Sequence, residues 1–356
     1  MKLPTVRQIA QQFDVATGTA QQAVRDLVLA GFLESRPKRG TCVARDYEVG
    51  KLRSWVAGQR LQAQPAPGRS TSGIQKKRIH LLVSNLADPM VVEMAEAFAQ
   101  EMASLGCRVQ FDQSHPAIPC PVRDPDADAL AIFQPEISGV DVVAGPNQVL
   151  LVVATDHAPV NLTGRYDLVS VDDEHGSFLA GRRLRDAGCA SACFIGARKK
   201  GSAPPLFGTV SSRRLEGFQR GWGESLPTAR LLKAESHNVE PGKRIVARYL
   251  EFAPRPEGIF ADTDELAVGF ILGARDQGLE PGRDFQIIGF DKQDLALSLP
   301  GGPLTTIEVP RRQMGQRGAR VLADRLVNPD QPVRRIHLGC RVFEGTTVGE
   351  VGARTT

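Results

Sequence analysis

The residues with the plainest chemical intent are a short basic run, Pro37-Lys38-Arg39-Gly40, set between Phe32-Leu33-Glu34-Ser35-Arg36 and Thr41-Cys42-Val43. The flanks read as two short strands, which makes the run a hairpin tip. Two cations beside a glycine suit close approach to a phosphate backbone. An ordinary surface hairpin has the same composition, so the tip alone decides nothing. Catalytic patterns are weaker. Gly196-Ala197-Arg198-Lys199-Lys200-Gly201-Ser202 has the outline of a phosphate loop but lacks the lysine directly before the serine, so it reads as a surface loop. Neither a glycine-flanked nucleophilic serine nor an HExxH pair occurs. Asp172-Asp173 and Asp262 with Asp264 offer carboxylates to a metal, or are charged loop ends. Cys42, Cys107, Cys120, Cys189, Cys193 and Cys340 have no metal-ligand spacing, and the near pair, Cys189 and Cys193, reads as buried thiols. The expectation is a protein that is not an enzyme and needs no cofactor or metal.

The elements that must position the basic tip lie just before it. Val6, Ile9, Ala10 and Phe13 recur three or four apart, as do Ala20, Ala23, Val24 and Leu27, giving two short helices with one apolar stripe each. Asp14 and Val15 leave room for a tight turn, Pro4 suits a helix start, and Gly31 ends the second helix. Such a pair is a helix-turn-helix, whose second helix can enter the major groove of DNA.

Residues 3 to 44 together resemble the winged helix-turn-helix of GntR-type transcription regulators. The resemblance is carried by Leu3-Pro4-Thr5, Arg7, Ala23-Val24-Arg25-Asp26-Leu27, Ala30-Gly31-Phe32-Leu33 and Arg39-Gly40-Thr41. It implies that Arg7, Lys38, Arg39 and Gly40 contact the backbone or groove edge. That family opens its recognition helix with Ser-Arg and places an Arg four residues on; here stand Ala16-Thr17 and Gln21. Capping therefore shifts to Thr17 or is lost at a cost of ~1 kcal/mol. Gln21 and Gln22 can read adenine edges, and Thr17 or Thr19 a phosphate or a thymine methyl. The family also carries a helix before the position of Leu3, so the expectation is that the coding start has been placed late.

The whole chain has 356 residues, which suggests two or three domains. Its net charge of +4 is unevenly placed. Residues 1–78 hold 14 Lys or Arg against 5 Asp or Glu, a balance of +9, which leaves −5 for the remainder. A basic head on a slightly acidic body suits a nucleic-acid binder with a separate sensing module. No apolar run approaches the ~18 residues of a membrane span, and Met1-Lys2-Leu3-Pro4 is not a signal peptide, so no membrane contact and a cytoplasmic location are expected. Residues 46–77 form a linker. Within and just before it, Arg45 to Leu61 can hold an amphipathic helix around Leu52, Trp55 and Val56, with Trp55 able to dock on the body. Gln62 to Gly73 is a flexible tether.

From Arg78 the pattern alternates strand and helix. Apolar runs at Ile79–Val83, Leu130–Phe133, Val149–Ala154, Leu168–Val171, Ala192–Ile195, Gly258–Phe260 and Phe285–Gly289 are interleaved with helical stretches near 89–105, 176–187, 213–224, 242–252 and 265–277. This predicts an α/β body of doubly wound parallel sheets, with ligands beyond the strand carboxyl ends. Asn85-Leu86-Ala87-Asp88-Pro89, Val171-Asp172-Asp173-Glu174-His175-Gly176, Arg214-Leu215-Glu216-Gly217-Phe218, the run 261–269 and Ile288-Gly289-Phe290-Asp291 leading to Pro303-Leu304-Thr305-Thr306-Ile307 resemble the LacI/GalR-type sensor, of the periplasmic-binding-protein type I fold. The resemblance implies two lobes over residues 78–350, one of about 78–168 with 309–330 and one of about 169–308 with 331–350. The chain would cross between them near 169, 308 and 331.

It further implies a small effector in the interlobe cleft. Arg214 would hold a hydroxyl or carboxylate and Asp291 would accept from hydroxyls, with Thr263 and Asp264 on the same lobe and Asp88 and Met90 facing them. Asp264 alternatively caps a helix, and Asp291 with Arg214 alternatively forms an ion pair without ligand. Residues 114–128 carry four prolines and cannot form the helix expected there, which leaves the cleft's shape open. The reading is a repressor-type regulator, a homodimer on double-stranded operator DNA, gated by a sugar-like effector. A solute-binding protein, or a sensor reduced to a dimerisation body, is the alternative.

Overall fold

The computed structural model describes residues 3–13, 15–36, 40–44, 48, 51, 52, 54–56, 58, 73–83, 85–113, 126–133, 149–154, 165–197, 207 and 209–349. Asp14, the wing-tip residues Pro37, Lys38 and Arg39, the tether before Gly73, the proline run at 114–125, the loop at 198–202 and Cys120 lie outside the described residues. The chain divides into two compact units, residues 1–63 with 85–88, and residues 64–84 with 89–356.

In the first unit, α1 (Val6–Gln12) and α2 (Thr17–Leu29) are followed by β1 (Leu33–Arg36) and β2 (Gly40–Val43). Thr5 caps α1 reciprocally: its hydroxyl accepts from the Gln8 amide at 3.4 Å, and its own amide donates to Gln8 Oε1 at 2.9 Å. Pro4 thus precedes the cap instead of opening the helix. Ala16 caps α2 without a side-chain bond, so the cap is lost and Thr17 does not take it over. The stripes meet at Ala10 and Ala20, with Leu33 buried beside them. Phe13 departs from its expected place and is 66% exposed, because it is the C-cap of a seven-residue helix and lies past the last turn that could turn it inward. Ala23 is exposed at the edge of its stripe. Strands β1 and β2 pair antiparallel from Leu33↔Val43 to Arg36↔Gly40, and Gly40 leaves the tip at a φ of 81°. Trp55, for which the sequence offers the body as a partner, packs against Phe32 with ring centroids 5.8 Å apart.

The second unit contains two sheets. In the first, β3 (Arg78–Val83), β4 (Arg108–Gln113), β5 (Ala129–Phe133), β6 (Val149–Ala154), β7 (Tyr166–Val171) and β13 (Arg335–Leu338) lie parallel in the order β13-β7-β6-β5-β3-β4. The second runs β14-β12-β11-β10-β8-β9, from β8 (Ala192–Ala197), β9 (Leu231–Ala234), β10 (Gly258–Ala261), β11 (Gln286–Asp291), β12 (Thr305–Glu308) and β14 (Arg341–Phe343). It is parallel except for β14, which pairs antiparallel with β12. Continuous burial along β5, β8, β10 and β11 explains their unbroken apolar runs.

The strand assignments correct two expected crossings. Residue 169 lies inside β7, which is hydrogen-bonded into the first sheet, so the chain leaves that sheet only after Val171. Likewise β13 still belongs to the first sheet, and the last crossing follows Leu338 instead of 331.

Glycines set helix placement by close approach, as two contacts show. α4 (Asp173–Asp186) lies against α5 (Thr209–Trp222) so closely that a Cβ on Gly217 would sit 2.3 Å from the Glu174 carbonyl oxygen. α3 (Pro89–Ser104) meets α9 (Arg311–Val327) in the same way, a Cβ on Gly315 falling 2.1 Å from the Met94 carbonyl oxygen. α6 (Val239–Leu250) and α7 (Asp264–Arg275) cover the second sheet, and α8 (Asp294–Leu297) precedes β12. Among the described residues no helix is long and apolar enough to cross a membrane.

Candidate functional site

The second sheet ends its parallel strands on polar side chains: Asp262 follows β10, Asp291 closes β11 and His237 follows β9. Open parallel sheets bind ligands at this edge. Asp173 opens α4, where Asp172 caps the helix by accepting from the His175 amide at 2.9 Å, so the helix starts three residues before the expected Gly176. The glycine contact between α4 and α5 then sets Arg214, one turn before Gly217, against Asp173.

Arg214 is 4% exposed. Its Nε donates to Asp173 Oδ1 at 2.8 Å, its Nη1 donates to the Asp262 carbonyl, and its Nη2 lies 3.7 Å from Asp291 Oδ1. The guanidinium stacks 3.7 Å from the Phe290 ring centroid. Burial disfavours its charge, but Asp173, Asp291 and Asp262 outweigh that and push its pKa up. Asp173 shares this one cation with two further acids. Burial raises its carboxyl pKa by more than Arg214 lowers it. His237 Nε2 lies 3.3 Å from both Asp262 Oδ2 and Ser211 Oγ. Burial opposes its charge, while the bond to Asp262 and that carboxylate's charge raise its pKa. Asp173 Oδ2 and Asp262 Oδ1 are buried without a hydrogen-bond partner among the described residues. A donor-rich molecule would satisfy them.

Arg214 and Asp291 are brought together in one buried cluster. Thr263 caps α7, accepting from the Leu266 amide at 3.4 Å. Asp264 is fully buried; Oδ1 accepts from the Thr306 hydroxyl at 2.5 Å and Oδ2 from the Gln293 amide at 2.7 Å. Burial, then the nearby Asp291 charge, drives its pKa well up. Met90 lies in the first turn of α3, and Asp88 falls within the first unit. The sequence reading left out His237 and Ser211 and took Asp173 and Asp262 for metal ligands or loop ends. Among the described residues no group of three or more His, Cys, Asp or Glu could hold a metal. Cys189 and Cys193 are buried thiols, each pushed up to about 12 by burial.

In the first unit, Thr17, Thr19, Gln21 and Gln22 are exposed on α2, Arg7 is exposed on α1, and Gly40 is exposed where β2 begins. Gln22 Nε2 donates to Asp26 Oδ1 at 2.7 Å. Lys38 and Arg39 lie outside the described residues.

Comparison with known proteins agrees with this layout. A family model of periplasmic binding protein-like domains matches residues 182–348, and one of bacterial regulatory proteins of the gntR family matches residues 1–43. The HTH-type transcriptional repressor PurR of Proteus mirabilis is 27% identical over 312 residues, spanning 83% of this chain and 87% of its own. Among solved structures, a LacI family transcriptional regulator from Enterococcus faecium with bound ribose aligns with a TM-score of 0.61 at 23% identity, over 77% of this chain and 100% of its own. The transcriptional regulator CelR–cellobiose complex aligns with a TM-score of 0.59 at 16% identity, over 97% of this chain and 100% of its own. The two-sheet body has the fold of LacI-family regulators, and these relatives are transcription regulators.

Proposed function

We propose that this chain is a DNA-binding transcription repressor whose two-sheet body senses a small effector. The observation that carries the reading is the match of a regulator family to residues 1–43, on a helix pair followed by an antiparallel hairpin, ahead of the sensor-type body. The hairpin supports a winged head of GntR type joined to a LacI-type sensor. Arg7, Thr17, Thr19, Gln21, Gln22, Lys38, Arg39 and Gly40 form the DNA surface. The α2 residues read bases and the wing holds phosphates.

In the body Arg214 is already claimed by acids, so it orients Asp173 and Asp291 and does not capture an anion. The effector is a polyhydroxylated, sugar-like molecule that donates to Asp291 and to the unsatisfied oxygens of Asp173 and Asp262. Thr263 closes the same edge, Met90 on α3 belongs to the same unit, and Asp264 stands behind as support. The protein acts in the cytoplasm as a homodimer on a pseudo-palindromic operator, and effector binding relieves repression through differential affinity for two dimer states. Selection of bound sequences from a random DNA pool by the full chain tests this. Enrichment of a short inverted repeat is expected; retention of DNA only at low salt, with no enriched sequence, would overturn it.

A further inference from the structure

Asp291 and Lys292 have φ of 108° and 57°. Side chains with a Cβ are strained there, so the surrounding structure must hold the turn. On one side Asp264 holds it, accepting from the Gln293 amide at 2.7 Å and from the Thr306 hydroxyl at 2.5 Å. On the other side stands Arg311. Its Nη2 donates to the Asp291 carbonyl and, at 3.2 Å, to the Lys292 carbonyl. Arg311 opens α9, which packs on α3 of the first lobe, and its Nη1 lies 3.4 Å from Glu93 Oε2 on α3. The close approach at Gly315, one turn further on, fixes this placement. Lys292 Nζ pairs with Glu308 Oε1 at 3.0 Å, at the end of the strand that leads into the crossing. The turn that carries Asp291 is thus fastened to a crossing segment and to the opposite lobe.

We infer that Arg311 is a positioning residue: its planar fork holds the left-handed Asp291–Lys292 turn so that the Asp291 carboxylate faces Arg214, and Glu93 ties that hold to α3 of the opposite lobe. A ligand drawing on Asp291 is then felt at α3. This consequence rests on the effector reading, whereas the anchoring does not. Lysine in place of Arg311 keeps the charge but has a single nitrogen, where Arg311 uses Nη2 for the two carbonyls and Nη1 for Glu93.

The test compares full-length wild type, Arg311→Gln, Arg311→Lys and Glu93→Gln by amide hydrogen exchange without ligand, and by operator binding with D-ribose and with cellobiose. Exchange at residues 288–297 should rise tenfold or more in both Arg311 variants and stay within twofold of wild type in Glu93→Gln. Exchange at 89–96 should rise in Arg311→Gln and in Glu93→Gln. In Glu93→Gln, sugar affinity should stay within twofold while the sugar-induced change in operator affinity falls at least fivefold, a split that a merely structural role would not produce. Unchanged exchange at 288–297 in Arg311→Gln, full rescue by lysine, or an undiminished operator response in Glu93→Gln would each overturn the inference. If neither sugar acts on wild type, the sugar-effector reading fails, while the exchange pattern still decides for or against Arg311.

Discussion

Replacing Arg214 with Met removes the one guanidinium shared by Asp173, Asp262 and Asp291 while filling much of its volume. Asp173 would be left 2% exposed with no counter-charge, and the Asp262 carbonyl would lose its donor. Breaking a buried pair by removing one partner costs ~3–5 kcal/mol. Methionine against Phe290 returns part of the lost stacking, so a net cost of about 3–4 kcal/mol is expected near pH 7.5. The cost should depend on pH with a definite sign. The Asp173 pKa is already raised by burial, and without Arg214 it rises further. A group with a raised folded pKa loses stability as pH rises through that value, so the penalty should shrink as pH falls toward the ordinary carboxylate range and the orphaned acid takes a proton. Urea unfolding followed by Trp222 fluorescence in a Trp55→Phe background reads this region, since the chain has two tryptophans and Trp222 closes α5. The double variant Asp173→Asn with Arg214→Met should recover ~2 kcal/mol or more of the single-variant loss. A cost below ~1 kcal/mol, a cost independent of pH, or additive losses in the double variant would refute the reasoning.

Gly217→Ala should cost ~1–3 kcal/mol and weaken effector binding, because the new methyl meets the Glu174 carbonyl oxygen at 2.3 Å and pushes α5 and Arg214 away. Gly18→Ala, with nothing within 4 Å, should instead raise the thermal stability of the head slightly; equal effects at both sites would dismiss the close-contact argument. Asp167 accepts from Arg325 at 2.9 and 3.0 Å and from the Arg334 amide at 2.7 Å, and against its burial these bonds hold its carboxyl below the usual range. Its stabilisation is therefore present above pH ~4 and lost as pH falls through the folded value, so Asp167→Asn should cost ~3 kcal/mol at pH 7 and progressively less as pH falls below the ordinary carboxylate range in urea titrations. Arg39→Ala should weaken binding across all DNA sequences and reduce the log–log salt slope by about 0.9, and an unchanged slope would speak against a wing phosphate contact.

How far the sequence carried depended on periodicity. Long apolar runs such as Val149–Ala154 and the stripe of α3 locate the first-sheet strands and their covering helix within a residue or two. α9, with arginines at 311, 312, 317, 320 and 325 around small buried residues, gave no such signal, because Gly315 makes its close approach to α3 and Gly318 lies against Val153 and Leu151 of β6. Strands β9 and β12 to β14 span only three or four residues each, too short to show a period. The site was partly legible. Arg214 and Asp291 follow from local phrases, but His237 and Ser211 reach Asp262 only through the folding of separate elements, and no spacing along the chain encodes that meeting. Asp264 shows the converse: its place after β10 suggests ligand contact, while Thr306 and the Gln293 amide, far along the chain, take both its oxygens.

The most direct test of the account is titration of the full chain against its selected operator, at fixed salt, with and without a panel of neutral sugars that includes D-ribose and cellobiose, for wild type and Arg214→Met. The account predicts at least tenfold weaker operator binding by wild type with one sugar, and no sugar effect in Arg214→Met with sugar-free operator affinity retained. Operator affinity that no member of the panel changes would contradict it, as would a sugar effect that survives the loss of Arg214.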